Sequence, residues 1–372
     1  MLIVLVLVFI FFTIITKGQM FSASSFDSLI KQNAYVYVLA AGMLMCMLTG
    51  GNIDLSVGSV VCFIGAIGGI MMVNNGVPIW ISMITMMVVG LIIGCLQGYL
   101  IAYLNIPPWI STLAGMLAFR GWGTALMKGL TIAPMPDNFV KIFSGYVPGF
   151  IGGGVVTCLV FGVIVCAAFI ILEFRSRNAK VKKGYEVATM QSTIVKCVLV
   201  AAVTMLFAYK LGANRGIPFS LIWVAVILLI YNFITSKTTI GRYFYMIGDN
   251  VEATRLSGIN TKKIFFIAYL NMAFLTVISA WMTMAKLTAA NPTAGTNYEM
   301  DAISACIVGG VSAYGGSGSV FGMVVGATLI GVINLGMSLM GLDANLQKVV
   351  KGVVLLAAVV FEILNNKDKA AK

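Results

Sequence analysis

The chain has no histidine and little charge. Only 10% of its 372 residues are charged, against roughly 25% in an ordinary soluble domain. With 60% hydrophobic residues and a mean hydropathy of +1.01, it has too little charge to cover the surface of a soluble globule. This excludes a soluble enzyme, a disordered scaffold and a secreted disulfide domain. The absence of histidine excludes acid–base catalysis by histidine, metal sites with histidine ligands and proton relays through histidine.

Two chemical motifs are also missing. The seven cysteines form no Cys-x-x-Cys pair, so we interpret them as small residues that fill the core. No Gly-x-x-x-x-Gly-Lys-Ser/Thr motif occurs, so we expect the chain to have no ATP site. We likewise expect no catalytic residue, no metal site and no cofactor bound by this chain.

Long apolar runs make up most of the sequence. Twelve segments are apolar, each near or below the roughly 20 residues that a membrane span needs. They cover residues 1–15, 33–49, 55–73, 78–103, 109–127, 150–172, 189–209, 217–234, 264–285, 302–314, 320–340 and 346–364. Some have the length of half-helices. The pattern predicts an all-α, polytopic membrane protein with ten to twelve transmembrane segments, broken helices and a single transmembrane domain over 1–372.

Positive charge is in excess and clustered, which predicts the orientation. There are 24 Lys and Arg against 12 Asp and Glu, and cytoplasmic loops carry such an excess in membrane proteins. The three basic clusters are Arg175, Arg177, Lys180, Lys182, Lys183; Lys237, Arg242, Arg255, Lys262, Lys263; and Lys367, Lys369, Lys372. Even numbers of segments separate them, so we expect both termini in the cytoplasm. The loops near 74–78, 128–149, 210–216 and 286–300 then face outward.

The basic cytoplasmic loop at 173–189 has two interpretations. It determines the topology, or it binds anionic membrane lipid. We favour the first, because positive charge in cytoplasmic loops is the general orienting signal. A nucleic-acid partner is not expected, since the sequence contains no soluble basic domain.

Glycines recur at helical spacing. Gly90, Gly94 and Gly98 give two overlapping G-x-x-x-G steps, and Gly322 and Gly326 give another. Small residues at this spacing let helix backbones approach closely in lipid. We interpret both groups as packing faces.

A weak internal repeat is present. A Gly-Gly pair at 50–51 is followed by Gly-Ser-Val at 58–60, and a second pair at 309–310 is followed by the same triplet at 318–320. Transporters are often built from repeats whose glycine-interrupted helices line the path. Glycine-rich apolar sequence also produces chance matches, so the repeat alone is only suggestive.

The stretch 49–60 interrupts the apolar sequence with polar residues. Asp54 or Asn52 is suited to cap a helix that begins near Leu55. A broken helix at membrane depth persists only where protein or a water-filled cavity satisfies its backbone. Two interpretations stay open, a tight cytoplasmic turn and an element of a pathway or gate.

The segment 241–263 predicts a short cytoplasmic helix. Asp249 or Asn250 is suited to cap it, and Gly258 to end it. Glu252 falls in the first turn, three residues before Arg255. Its apolar side consists of Ala253, Leu256 and Ile259. So short a helix cannot bury that side alone, so the helix fits a partner's groove or lies on the inner leaflet.

A third polar group lies at 291–301. Glu299 and Asp301 stand at the start of an apolar segment, where ionisable groups are functional candidates unless they are solvated at an outer rim. Arg120 and Lys286 are their candidate partners, or extend to the membrane surface.

At these motifs the chain resembles a known family, the membrane permease subunits of bacterial ABC importers for monosaccharides, in the ribose, xylose, arabinose and galactose branch. Residues 50–59, Gly-Gly-Asn-Ile-Asp-Leu-Ser-Val-Gly-Ser, look like the branch's most characteristic stretch, with Asn52 inserted into the commoner Gly-Gly-Ile-Asp form. Residues 248–259 look like its coupling segment. The glycines at 309–310 and 315–319 look like its C-terminal motif.

Extra length refines the resemblance. The stretch 173–216, with two additional spans, is similar to the xylose and multiple-sugar permeases rather than the shorter ribose type, and 291–301 leans the same way. The sugar itself is not named by the sequence, because in this family a separate binding protein does most of the selecting.

The resemblance implies a division of labour in the bacterial cytoplasmic membrane. An extracytoplasmic sugar-binding protein delivers the sugar, and two permease copies, expected as a homodimer, form the path. Two ABC ATPase subunits use the ATP and dock on the cytoplasmic coupling segment 236–263. The implied coupling residues are Gly248, Asn250, Glu252, Ala253, Arg255, Leu256, Ser257, Gly258 and Ile259. The pathway or gate candidates are Gly50, Gly51, Asn52, Asp54, Ser56, Gly309, Gly310, Gly315, Gly316, Asn291, Glu299 and Asp301.

Two other classes compete with this interpretation. An ion-coupled secondary sugar carrier needs intramembrane acids, for which only Asp54, Glu299 and Asp301 are placed. A passive channel predicts sugar flux without an energy source.

Overall fold

The computed structural model describes residues 1–149, 153–185, 187 and 189–370, with 344 and 361–370 described by their main chain only. Beyond two isolated bridges, no strand occurs in this part of the chain. The α-helices are α1 (Leu2–Ile15), α2 (Ala23–Leu48), α3 (Val57–Gly69), α4 (Ile79–Ala102), α5 (Pro108–Leu126), α6 (Asp137–Ser144), α7 (Gly154–Lys182), α8 (Met190–Asn214), α9 (Phe219–Lys237), α10 (Thr239–Asp249), α11 (Val251–Leu256), α12 (Thr261–Leu287), α13 (Tyr298–Val308), α14 (Val320–Leu339) and α15 (Ala344–Ala370). The prediction of an all-α, polytopic membrane protein is confirmed.

Eight helices among the described residues are long and apolar enough to cross a membrane. This is fewer than the ten to twelve crossings expected from apolar segments. Two of the missing segments are too short to span: α1 has 14 residues and α13 has 11, about 21 Å and 16 Å at 1.5 Å per residue, against a hydrocarbon core of about 30 Å. The helices α5 and α15 are not among the eight either, although they have 19 and 27 residues. The predicted segment 150–172 begins outside the described residues, and its helix starts at Gly154.

Local sequence sets where several helices begin. Pro78, Pro107 and Pro136 precede α4, α5 and α6 directly, where a residue without an N–H breaks no helical hydrogen bond. A π-helical turn, Ile70–Asn74, extends α3, so that α3 and this turn together form one span of 18 residues.

The chain divides into two compact units. The first comprises Met1–Met20, Leu29–Gly145 and Ser220–Lys372. Its centre is built by α2, α3, α12 and α14, whose spans are 72%, 67%, 67% and 72% buried. These four helices therefore form the buried centre of the first unit.

The second unit comprises Phe21–Ser28 and Tyr146–Phe219. Its main feature is the pair α7 and α8, which pack through Gly162 against Ala208 and whose spans are only 17% buried. Such apolar, exposed faces fit lipid contact. The expectation of one transmembrane domain over the whole chain stays a prediction.

Residues 173–189 are mostly helix rather than loop. The helix α7 continues through Lys182, because the stretch contains good helix formers and neither proline nor glycine before Gly184. Glu186 and Ala188 lie outside the described residues. In the basic tail, Lys372 lies outside them as well, and the cytoplasmic location of these clusters stays a prediction.

Glycine seams join the central helices, as expected from their spacing. Gly94 faces Ala273 of α12, and Gly90 and Gly98 face the same helix. Gly326 of α14 lies against the carbonyl oxygen of Ala305 in α13. Both groups are packing faces, because a side chain at these positions would separate the helices.

The first unit has two ends, and the candidate site described below lies between them. At one, which we call the distal end, residues 128–136 pair with 288–290. Ile132 and Ala290 exchange two backbone hydrogen bonds of 2.9 Å each. Gly69, at the end of α3, packs against Ala290 there. Two loops predicted to share one face of the membrane therefore share one end of the molecule.

The helix α6 in this region was not predicted. Its apolar residues Phe139 and Phe143 are buried, and the ring of Phe143 lies 5.4 Å from that of Trp223 and 5.7 Å from that of Trp281. Eight residues between two loops gave too short a periodic signal to distinguish from a connection.

Replacement of Gly94 by leucine tests the α4–α12 seam. A Cβ at this position would lie 2.5 Å from the Cβ of Ala273, so we expect Gly94→Leu to lower the free energy of unfolding by about 1–3 kcal/mol through overpacking. Thermal unfolding in detergent measures this. The control is Gly121→Leu, since no described atom lies within 4 Å of a Cβ there. Equal melting of both variants would contradict the seam.

Candidate functional site

The predicted cytoplasmic helix is present but shorter than its apolar pattern suggests. It is α11, six residues long, and Asn250 rather than Asp249 caps it, accepting a hydrogen bond of 2.9 Å from the N–H of Ala253. Ile259 lies beyond its end, so it does not extend the helical face of Ala253 and Leu256. The side chain of Leu256 is 78% exposed, which leaves an apolar group uncovered.

The charged pair of α11 forms as the spacing indicated. Arg255 donates to both carboxylate oxygens of Glu252, at 2.5 Å and 3.1 Å. These hydrogen bonds lower the pKa of Glu252. The pair therefore stabilises the helix at neutral pH and loses this contribution as the pH falls through the lowered pKa. Both side chains are more than 60% exposed, so the contribution is small.

The end of α11 also follows the sequence. Ser257 is its C-cap, and the N–H of Gly258 donates to the carbonyl oxygen of Arg255 at 3.0 Å. The φ of Gly258 is +83°, a left-handed conformation that glycine adopts without strain.

Three glycine motifs that are far apart in sequence meet at the second end of the first unit. Gly248, in the last turn of α10, lies against the carbonyl oxygen of Leu48 and the amide of Gly316. The N–H of Gly316 donates to that same carbonyl oxygen at 3.2 Å. The coupling segment thus contacts the C-terminal glycine loop and the end of α2 directly.

The same contact includes the first glycine pair. Gly315 lies against the main chain of Gly50, and Gly51 lies against the main chain of Ala313 and Tyr314. We call the cluster Gly50, Gly51, Gly248, Gly315 and Gly316 the glycine junction. A Cβ at Gly51, Gly248, Gly315 or Gly316 would overlap a neighbouring atom, so a displacement of one of these segments must move the others.

The pair Gly309–Gly310 has a different role from the junction. It ends α13, with Gly310 at a φ of +85°, and Gly309 packs against the carbonyl oxygen of Gly322 in α14. The two halves of the sequence repeat therefore adopt different environments, although each precedes a helix, α3 in one case and α14 in the other.

An open cavity of about 310 Å³ lies beside the coupling segment. It is lined among others by Asn52, Asn105, Val251, Thr261 and Lys262. The cavity therefore borders the stretch 49–56, the loop between α4 and α5, and the beginnings of α11 and α12.

The polar stretch after α2 caps α3 differently from expectation. The helix begins at Val57, and Ser56 is its N-cap. Asp54 accepts hydrogen bonds from the N–H and hydroxyl of Ser56, at 2.8 Å and 2.6 Å. Asn52 donates backwards to Thr49 at 3.0 Å, so Asn52 stabilises the turn and Asp54 fixes the residue that precedes the helix.

Gln97 extends this polar group, and sequence reasoning missed it. Its side-chain amide donates to the hydroxyl of Ser56 at 2.9 Å, and it is buried. The signal was available, since Gln97 is the single amide side chain in the apolar run 78–103. A lone amide in a span is favourable only with a partner inside the protein.

The segment 288–297 enters the unit from the distal end and leads into α13. Gly295 lies against the main chain of Gly58 in the first turn of α3. Arg120 donates to the carbonyl oxygens of Pro292 and Ala294, at 3.1 Å and 2.6 Å. Both of these hydrogen bonds are to main chain, so Arg120 is not the ion-pair partner of Asp301, although its charge acts on Glu299.

The two acids at the start of α13 are buried. Glu299 is 7% exposed and lies beside Gly58, while Asp301 is 1% exposed. The cation that binds Asp301 is Lys351 of α15, at 2.8 Å, rather than Arg120 or Lys286. Lys286 is an exposed residue near the end of α12. Asn291, partly exposed, accepts from the N–H of Thr293 at 2.8 Å and orders the loop.

Further polar groups on α12 have unused hydrogen-bonding capacity. The hydroxyls of Tyr269 and Ser279 and the indole N–H of Trp281 are buried and have no hydrogen-bond partner in the described part of the chain. An unpaired buried polar atom is costly.

Together these contacts place polar side chains through the middle of an apolar unit. Asp54, Ser56, Gln97 and Glu299 lie at the first turn of α3, between the glycine junction and the distal end. Among the described residues no group of three His, Cys, Asp or Glu is arranged to hold a metal ion.

Comparison with known proteins gives consistent matches over nearly the whole chain. A family model described as branched-chain amino acid transport system, permease component, matches residues 25–359. The xylose transport system permease protein XylH of Haemophilus influenzae is 36% identical over 99% of this chain and 96% of its own length.

Two further relatives come from Escherichia coli. The xylose transport system permease protein XylH is 33% identical over 96% of this chain and 90% of its own length. The ribose import permease protein RbsC is 28% identical over 94% and 88%. No solved structure matches this chain.

Replacement of Gly248 by alanine tests the junction. A Cβ would overlap the carbonyl oxygen of Leu48 and the amide of Gly316, so we expect Gly248→Ala to separate the segments and to reduce transport activity about tenfold. The measurement is transport by the reconstituted complex per unit of inserted protein. Gly352→Ala is the control, because no described atom lies within 4 Å of a Cβ there. Unchanged activity of Gly248→Ala would remove the junction from the site.

Proposed function

Because this chain belongs to the family of branched-chain amino acid transport system permease components, we propose that it is the membrane permease of an ATP-driven monosaccharide importer. The observation that carries the mechanism is the contact of Gly248 with Gly316 and with Leu48 at the end of α2, next to the loop of Gly50 and Gly51. A partner protein that binds outside the membrane and moves the coupling segment therefore also moves the glycine loops on either side of the polar interior.

The substrate class is supported by the named relatives. Proteins named as xylose permeases match at 36% and 33% identity and the ribose permease at 28%. The buried polar groups of α3, α4 and α12 support a ligand rich in hydroxyl groups such as a pentose, because each sugar hydroxyl both donates and accepts hydrogen bonds. Xylose is the sugar we propose first.

The partners follow from the same division of labour. We assign ATP use to two separate ATPase subunits, delivery to an extracytoplasmic sugar-binding protein, and the path to two copies of this chain. The exposed side chain of Leu256 supports a docking role for α11, since 78% of it is uncovered on a six-residue helix. Coupling is then a difference in binding between two states of the permease.

The orientation completes the proposal. The glycine junction and α11 face the cytoplasm of a bacterial cell, and the distal end with 128–136 and 288–290 faces outward. Both termini are cytoplasmic. The basic residues Lys262 and Lys263 beside α11 support this assignment, because cytoplasmic loops carry the excess of positive charge.

Reconstitution separates this proposal from its competitors. Vesicles that contain this chain, a partner ATPase and the binding protein should accumulate labelled xylose only with ATP, and collapse of the proton gradient should leave uptake intact. Accumulation by vesicles with this chain alone would refute an ATP-driven permease. Uptake that depends on the gradient would identify an ion-coupled carrier instead.

Replacement of Leu256 tests the docking role of α11. We expect Leu256→Ser to leave the fold intact, since the side chain is exposed, and to weaken ATPase binding about tenfold because the apolar contact is lost. Pull-down of the ATPase and its stimulation by the permease measure this effect. Tyr185→Ser, at a residue 65% exposed in the second unit, is the control. Equal ATPase binding by both variants would exclude Leu256 from the interface.

A further inference from the structure

The half-helix α13 begins in the interior of the first unit. It has 11 residues, whereas its neighbour α14 has 20. At 1.5 Å per residue these lengths are about 16 Å and 30 Å. The end of α13 at Gly309 packs against Gly322, near the start of α14, so its beginning lies about halfway along α14. The main chain before α13 is irregular, so something else must hold that beginning in place.

Asp301, in the first turn of α13, has partners on two other helices. The ammonium group of Lys351 in α15 lies 2.8 Å from Oδ1 and 3.0 Å from Oδ2. The hydroxyl of Tyr35 in α2 donates to Oδ2 at 2.5 Å. The ring of Tyr35 also stacks on that of Tyr298, with centroids 3.5 Å apart. The beginning of α13 is therefore tied to both α2 and α15.

The charges explain why this contact is specific. A carboxylate inside an apolar unit is unfavourable unless a cation or hydrogen-bond donors neutralise it. Asp301 also benefits from the positive end of the α13 dipole. Of two neighbouring lysines on α15, only Lys351 neutralises Asp301. Its side chain is 19% exposed and points inward, whereas Lys348 is exposed and donates to Asn345.

The helix connects this contact to the glycine junction. Its far end leads through Gly309 and Gly310 into the loop that carries Gly315 and Gly316. Close backbone packing of Gly326 on the carbonyl oxygen of Ala305 lets α13 shift only as a whole. The position of Asp301 therefore sets the position of the loop that α10 contacts.

We propose that Lys351 is a positioning residue of the transport cycle, which holds the inner end of α13 through Asp301 so that movement of the coupling segment reaches the polar interior. This rests on the proposed function. The sequence alone did not single out Lys351 or Tyr35, and the acid had been assigned other partners. The ion pair contacts neither the glycine junction nor α11, so its effect on them passes through the helices that it joins.

The first experiment measures the position of α13 without transport. Hydrogen–deuterium exchange of the full chain in detergent follows the amides of 298–308. We expect Lys351→Met to raise their exchange about tenfold, because an unpaired Asp301 releases the helix. Lys348→Met, the matched control one turn earlier, should leave it unchanged. If Lys351→Met does not fold, the exchange of 298–308 is measured instead in the double variant Asp301→Asn, Lys351→Met, which leaves no unpaired charge.

The second experiment measures coupling in the complete complex. The double variant Asp301→Asn, Lys351→Met should hydrolyse ATP but consume about tenfold more of it per sugar imported, whereas Lys351→Arg, which keeps the charge, should retain the wild-type ratio. If the ion pair only stabilised the fold, its loss would lower the amount of folded complex and leave the ATP consumed per imported sugar unchanged.

The outcomes distinguish the positioning role of Lys351 from the proposed function of the chain. Unchanged exchange in 298–308, or a wild-type ratio in the double variant, overturns the positioning role of Lys351. A wild-type complex that imports no sugar overturns the proposed function, while the exchange comparison still decides whether Lys351 holds α13.

Discussion

Close contact between main chains at glycine is the constraint on which the rest of the structure depends. In lipid, helices gain little from burying apolar side chains, so their association relies on packing of backbones and on internal hydrogen bonds. The α4–α12 seam and the α13–α14 seam both use this contact. The glycine junction uses it between loops, where the N–H of Gly316 also reaches the carbonyl oxygen of Leu48. Packing of the helices and contact between the glycine loops therefore share one physical basis.

Buried polar groups give the unit its second organising feature. Irregular backbone is tolerated inside a membrane protein only where the protein itself satisfies it. Arg120 does this for the segment before α13 through two carbonyl oxygens, and Asp54 does it for the start of α3. The broken helices persist because their free groups have partners. Together with the hydroxyls of Tyr269 and Ser279 in α12, which have no partner among the described residues, these groups make the interior of the unit polar.

The charges of α13 show how local and long-range effects combine. An acid in the first turn of a helix is favourable by itself, and the sequence placed Glu299 and Asp301 there. The identity of the neutralising cation depended on which helix packs beside α13. Lys351 lies 50 residues from Asp301, and within α15 nothing in its sequence context distinguishes it from Lys348. Packing of α15 against α13 made that choice.

Composition and periodicity alone determined the all-α membrane class, the position of the apolar helices, the glycine packing faces and the capped, charged helix α11. These features are local or follow from the absence of charge, so spacing along the chain is sufficient for them. Tertiary structure decided which segments are half-helices, that α6 exists, which residues pair with Arg120 and Asp301, and that three glycine motifs form one junction. Each of these depends on contact between segments distant in sequence, up to about 270 residues apart for Leu48 and Gly316, for which a single sequence carries no distance information.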